Sequence, residues 1–213
     1  MMRYPTGFKQ VLQSLLLMPL LLSPLLTHAE AAWGVDALMN TLASTKSGHA
    51  AFIERKSIAM LDQPVESSGE LFYTAPSYLE KRTLKPKKES LVLDKDKLIV
   101  EQRGKKRTLS LQSYPEVAAF IDSIRGTLAG DKKALERAYK LTLEGDESNW
   151  HLTLLPLEIK MKKIVETITI SGAANQLQSI VIQQADGDSS QMMITPIANP
   201  NAATNAAPNA ASN

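Results

Sequence analysis

Apolar residues recur along this chain in two rhythms, and each change of rhythm marks a change of element. Val35, Leu38, Met39 and Leu42 fall near one face of a short helix, which Asp36 is placed to cap and Lys46-Ser47-Gly48 to end. From His49 to Leu111 the helical spacing gives way to short apolar runs, which predict strands over 49–58, 69–75, 78–84, 90–93, 98–102 and 107–111. The separators are Asp62-Gln63-Pro64, Ala75-Pro76-Ser77, Lys85-Pro86-Lys87, Asp94-Lys95-Asp96 and Gly104, each a known way of turning a backbone. Links this short favour antiparallel hairpins over parallel crossovers. Helical spacing returns at Pro115, where Val117, Phe120, Ile121, Ile124 and Leu128 make one apolar stripe with Glu116, Asp122, Ser123 and Arg125 outside it. Gly130 is placed to end that helix and Asp131 to cap a second one through Ala134, Leu135 and Ala138. Five further strands are predicted over 139–144, 150–155, 162–171, 177–184 and 189–196. In the second of these, Trp150, Leu152 and Leu154 alternate with His151 and Thr153, the pattern of a sheet with one apolar and one wet face.

The pattern predicts a mainly β (α+β) domain of about eleven antiparallel strands interrupted by two helices. A sheet of that width twists and curls, and its apolar face needs a cover. Two short helices are the available cover, and they are too small to fill the inner face of a half-closed barrel. The surplus apolar surface is expected to form a ligand cavity or a partner groove.

The two ends of the chain read differently from its middle. Arg3 and Lys9 precede a leucine-dominated run from Val11 to Leu26, followed by small residues at Thr27, Ala29, Ala31 and Ala32, the composition of a secretory signal. Pro19 and Pro24 make the same run a poor membrane helix. The expected division is a cleaved signal over 1–31, one domain over 32–198, and a disordered tail over 199–213, where only Asn, Ala, Pro, Thr and Ser occur. Cleavage removes Arg3, Lys9 and Glu30 and leaves a nearly neutral protein, so nothing in the charge calls for nucleic acid. The chain has no cysteine, which removes disulfides, thiol nucleophiles, thiolate metal sites and an N-terminal lipid anchor together.

Candidate chemistry is sparse. His49 and His151 are far apart in sequence, no G-x-S-x-G elbow is present, and Asp186-Gly187-Asp188 is better read as a hairpin turn than as part of a calcium loop. No enzyme, cofactor or metal site is expected. Lys85 to Lys88, Arg103 to Arg107 and Lys160 to Lys163 concentrate positive charge at predicted turns. Such runs are usually solvated hairpin ends, and on one common rim they would steer docking to anionic lipid or an acidic partner.

The order of several short motifs resembles the LolA family of periplasmic lipoprotein carriers, in its LolA-like subgroup. These are Phe52 on the first strand, Gly69-Glu70-Leu71-Phe72, Pro76 before Tyr78-Leu79, and Pro86 before Glu89 and Leu91-Val92, followed by a Pro-led apolar helix, a second helix and strands to the end. The resemblance covers about residues 33–198. It implies an unclosed barrel with a helical lid, located in the periplasm, that carries lipoprotein acyl chains or a related lipid toward the outer membrane as a monomer. An inner-membrane transporter and an outer-membrane receptor are the partners it implies. On this resemblance the cavity and lid comprise Phe52, Leu71, Tyr73, Leu79, Val117, Phe120, Ile121, Ile124, Leu128, Trp150, Leu152 and Leu154. One position departs from the family: where LolA has an Arg that bonds to the lid and helps to close it, this chain has Ala75. Closure is therefore expected to rest on the apolar stripe. The alternative reading, favoured by Ala75, is an accessory module that offers the groove to a lipid exporter or another protein partner.

Overall fold

Turn chemistry and strand patterning place the eleven strands where the sequence predicts them, with shifts at their ends. The computed structural model describes residues 33–113 and 115–198, so the expected signal and tail lie outside the described residues. Helix α1 (Val35–Ala43) leads into β1 (Ser47–Ser57), β2 (Val65–Thr74), β3 (Tyr78–Lys85), β4 (Glu89–Asp94), β5 (Lys97–Gln102) and β6 (Lys105–Ser110). A 3-10 turn (Leu111–Ser113), α2 (Pro115–Ala129) and α3 (Lys132–Ala138) follow, and then β7 (Tyr139–Asp146) and β8 (Asn149–Pro156). The short α4 (Ile159–Lys162) precedes β9 (Val165–Ala173), β10 (Gln176–Gln184) and β11 (Ser189–Pro196).

All strands join one antiparallel sheet in the order β6-β5-β4-β3-β2-β1-β11-β10-β9-β8-β7. Each half of the chain is a meander, and the first strand pairs with the last, so that β6 and β7 are free edges of an unclosed barrel. The helical segment α2–α3 carries the chain from one edge to the other.

Opposed residues in an antiparallel pair share a face, so the register defines rows across the sheet. One row runs Leu143, Leu152, Ile170, Ile180, Met192 and Glu54, from β7 to β1. The core gathers on the β7–β10 part of this face, where Trp150, Leu152, Leu154, Ile168 and Ile170 are fully buried beneath Leu38, Met39 and Leu42 of α1 and Leu135 of α3. Trp150 donates its indole N–H to the Ala174 carbonyl at 2.9 Å. Gly172 gives it room, since a Cβ there would stand 2.5 Å from the indole ring.

Local signals explain the helix joints. Gly130 takes a φ of +67°, and a Cβ on it would lie 2.1 Å from the Met39 carbonyl oxygen, so glycine is required both to end α2 and to let α1 approach. The Asp131 carboxylate caps α3 by accepting from the Ala134 N–H at 2.9 Å. Asp36 does not cap α1; Gly34 occupies that position, and Asp36 instead binds the Lys132 ammonium at 2.8 Å, tying α1 to α3.

Of the strand limits that differ from the reading of the sequence, three have a clear local cause. Strand β2 starts at Val65 rather than Gly69, because the long β1 offers a pairing partner back to Lys56. Leu111 leaves β6 for the 3-10 turn, where it is buried. The start predicted for β9 at Lys162 is helical: one turn buries Met161 while Lys160, Lys162 and Lys163 stay exposed, which meets the same polar–apolar alternation without a strand.

Candidate functional site

The helix-facing side of the sheet is unevenly covered. Over β7–β10 it is packed core, whereas over β2–β6 its apolar side chains are mostly half-buried. A row of Tyr73, Leu79, Leu93, Leu98 and Leu109 crosses this second region at the end nearest α1. The next row is mixed: Leu71, Lys81, Leu91, Val100 and Arg107. The third is polar, with Thr83, Glu89, Gln102 and Lys105. The inner surface of β2–β6 is thus a trough that is apolar at one end and charged at the other.

Where trough meets core stands a charged cluster. The Glu54 carboxylate, only 4% exposed, pairs with the Lys81 ammonium and accepts hydrogen bonds from the Ser190 hydroxyl at 2.7 Å and the Ser67 hydroxyl at 3.3 Å. The Lys81 ammonium also sits over the Phe52 ring, 5.0 Å from its centroid. Burial acts to raise the Glu54 pKa, but Lys81, Ser190 and Lys56 together outweigh it and hold the carboxyl below its ordinary value. At the apolar end the Tyr73 hydroxyl is buried without a hydrogen-bond partner among the described residues, and burial raises its pKa.

Helix α2 does not bury its apolar stripe most deeply. Its tightest line is Ser123, Gly126 and Thr127, with Ser123 and Thr127 almost fully buried and the Leu135 side chain where a Cβ on Gly126 would be. Thr127 bonds the Ser123 carbonyl at 2.7 Å, which satisfies its hydroxyl within the helix. Small residues bring α2 close to α3, and the Phe120, Ile121, Ile124 and Leu128 stripe, about a quarter-turn away, is left half-buried. Phe120 and Ile124 touch the edge of the core. The Val117 side chain lies outside the described residues.

A polar tie joins this helix to the barrel. Arg125 donates to the Lys95 carbonyl in the β4–β5 turn at 3.0 Å and pairs with Asp122 on its own helix. The same turn accepts the Leu111 N–H at the Asp96 carbonyl, 2.9 Å away, so it holds both the entry to the helical segment and α2 itself. The Arg125 bond stands beside the apolar stripe on which the sequence leads one to expect closure to rest. Ala75 has no side-chain donor and contributes its backbone N–H to the Lys46 carbonyl at 2.8 Å.

Of the expected cavity residues, Leu71 and Leu79 are half-buried in the trough, and Phe52 and Tyr73 are buried along it. Trp150, Leu152 and Leu154 lie instead in the packed core under α1 and α3. Glu54, Lys81 and Arg125 were missed. For Glu54 and Lys81 the signal was present: they stand two residues after the inward-facing Phe52 and Leu79, and period-two alternation sends both charges inward. His49 and His151 are on the outer face. His151 Nδ1 is 2.8 Å from the Ser171 hydroxyl, while His49 stacks on Phe72 and lies 3.7 Å from Glu70. No group able to hold a metal ion occurs among the described residues.

A family model described as outer membrane lipoprotein carrier protein LolA-like matches residues 27–213. No curated protein matches the chain. Among solved structures, a LolA superfamily protein from Nitrosomonas europaea aligns with a TM-score of 0.43 and 10% identity, over 80% of this chain and 97% of its own. The MucA/MucB complex of Pseudomonas aeruginosa gives 0.44 and 12% over 82% of this chain, which spans 61% of the matched one. The lipoprotein LppX of Mycobacterium tuberculosis gives 0.40 and 10%, over 76% and 93% of the two chains.

Proposed function

The chain belongs to the LolA-like outer membrane lipoprotein carrier family, and from that premise we propose that it is an exported, non-enzymatic carrier that takes an amphipathic lipid, or the acyl chains of a lipoprotein, into the trough of β2–β6. The observation that carries this reading is the uneven cover of one sheet face: helices and core fill it over β7–β10 and leave half-buried leucines and Val100 over β2–β6. The graded polarity of the trough fits acyl chains lying against Leu79, Leu91 and Leu98, with a polar head toward Glu54 and Lys81. Each methylene withdrawn from water contributes about 0.8 kcal/mol, so partial cover of one chain gives affinity without specific polar contacts. Arg125 and the half-buried stripe of α2 make that helix the movable cover, and release follows when a better apolar site is offered downstream.

Native mass spectrometry of the protein recovered from the periplasm tests this: an apolar adduct should accompany it, and an acyl probe should displace that adduct. Protein that is consistently empty and binds no acyl probe would refute the carrier reading. A photocrosslinker at Phe120 separates it from the partner-groove alternative, with lipid or lipoprotein adducts supporting a carrier and other protein adducts the accessory module.

A further inference from the structure

Strand direction and register put five connections at one end of the sheet: the β1–β2 loop, the β3–β4, β5–β6 and β10–β11 turns, and the α4 segment between β8 and β9. Hydrogen bonds join part of this rim into a continuous surface. The Ala59 N–H donates to the Asp188 carboxylate at 2.8 Å, the Ala185 N–H to the Ile164 carbonyl at 3.1 Å and the Leu157 N–H to the Ala138 carbonyl at 2.9 Å. Three lysine-rich segments that are distant in sequence lie along this rim: Lys85, Lys87 and Lys88; Arg103, Lys105 and Lys106; and Lys160, Lys162 and Lys163. Asp186 and Asp188 lie on the same rim, but their carboxylates accept turn N–H groups. Asp62, Glu158 and Asp186 are the acids its loops leave exposed.

Large apolar side chains protrude among these lysines. Met60 is 93% exposed and Ile159 75%, and Leu61, Leu84, Leu157 and Ile164 are exposed beside them. Among the exposed large apolar residues described, only Ile197 lies at the opposite end, while Ile53 and Met193 oppose each other on the outer face in mid-strand. The turns of that opposite end carry Asp94, Asp96, Asp146 and Glu147 against Lys46, Lys95 and Lys97. Charge and exposed hydrophobicity are therefore both polarised along the barrel, and in the same direction.

We propose that this lysine-rich rim is a docking surface for the anionic face of a lipid bilayer, with Met60 and Ile159 entering the headgroup layer. A protein partner fits less well. Protein interfaces favour aromatic residues and Arg and are depleted in Lys, whereas here single aliphatic tips on separate loops stand among lysines whose long stems follow a soft surface. The polar end of the trough opens toward the same rim, so docking would turn it to the membrane. The inference does not depend on what occupies the trough, because docking is read on the protein and occupancy on the adduct mass.

The test is flotation of the chain, as its host processes it, with phosphatidylcholine vesicles lacking or containing phosphatidylglycerol. The protein should float with the anionic vesicles only, and less as salt is added. Each lysine contributes about fivefold in partitioning, so the triple variant Lys160→Glu, Lys162→Glu, Lys163→Glu should bind at least about a hundredfold more weakly. Met60→Ser with Ile159→Ser should lose about tenfold or more. Lys97→Glu, at the opposite end, should change little. All these side chains are exposed, and circular dichroism checks that the fold is kept. Absence of flotation at low salt, or flotation equally affected by variants at either end, would overturn the proposal.

Discussion

Removing the Arg125 side chain should loosen α2 without unfolding the barrel. The bond from Arg125 to the Lys95 carbonyl is the polar tie seen between the cover helix and the β2–β6 half of the sheet. The Asp122 pair lies within the helix and moves with it, so it orients the guanidinium and does not hold the cover down. A hydrogen bond from a charged donor contributes about 1.5–3 kcal/mol. The Arg125 side chain is 24% exposed, so water competes for the carbonyl and about 1–2 kcal/mol is the better expectation. Since 1.4 kcal/mol is a factor of ten, Arg125→Ala should raise the open population of the cover, and with it the exchange rate of a fluorescent acyl probe, by about tenfold. Arg125→Lys keeps the charge but not the fork that serves Asp122 and the Lys95 carbonyl together, so it should recover only part of the loss. Amide hydrogen exchange across α2 gives the same reading without a ligand, with protection falling in α2 while β8 and β9 keep theirs. Unchanged α2 protection and probe exchange in a folded Arg125→Ala protein would refute the latch. Equal loss of protection throughout the sheet would show that Arg125 supports global stability instead.

Three further perturbations address the trough and its cover. Phe120→Asp puts a carboxylate at the edge of the core, where it costs several kcal/mol if held there; the helix should lift, and probe binding should be lost while far-UV circular dichroism keeps its β signal. Glu54→Gln leaves Lys81 without its counter-charge and should cost about 3 kcal/mol at neutral pH in urea unfolding. Because the Glu54 pKa is lowered from 4.5, its contribution is complete above that unfolded value and is lost as pH falls through the folded one, so the gap between wild type and variant should close in acid; a pH-independent gap would contradict this. Tyr73→Phe removes a buried hydroxyl with no partner among the described residues and should stabilise the ligand-free protein by about 1 kcal/mol; a loss of stability would mean that the hydroxyl is satisfied.

The strands were legible because their information is local. Turn residues and alternation fix where β1 to β11 run, and inward parity follows from counting in twos along each strand. Burial depth was not legible, because it depends on which side of the sheet the helices choose to cover. Trp150, Leu152 and Leu154 carry the same alternation as Leu71 and Tyr73, yet α1 and α3 cover the first set and leave the second beside the trough. The choice is made by contacts distant in sequence, such as Asp36 with Lys132 and Gly130 against the Met39 carbonyl, which pin α1 and α3 together over β7. Helix α2 illustrates the same limit, since its apolar stripe promised the core contact and the small line Ser123–Gly126–Thr127 makes it.

That division of labour has a consequence for a carrier. If the apolar stripe of α2 were its tight-packing face, opening the helix would expose the core itself, at a cost set by every leucine and isoleucine beneath it. Packing α2 to α3 through small residues leaves the stripe half-buried, so on the carrier reading proposed above the stripe could lift while Leu135, Tyr139 and α1 stay in place. Tyr139 strengthens this arrangement: it is buried at the start of β7 and bonded to Ser123, and burial pushes its phenol up to about 12, so it keeps its proton near neutral pH. The Lys95 carbonyl, at the tip of a two-residue turn, then holds the far side of α2 by a bond that one side chain can release. On the carrier reading, a cover fixed by packing on one side and by a single guanidinium on the other would pivot, and would uncover the half-buried leucines of β3–β5 rather than the closed core of β7–β10.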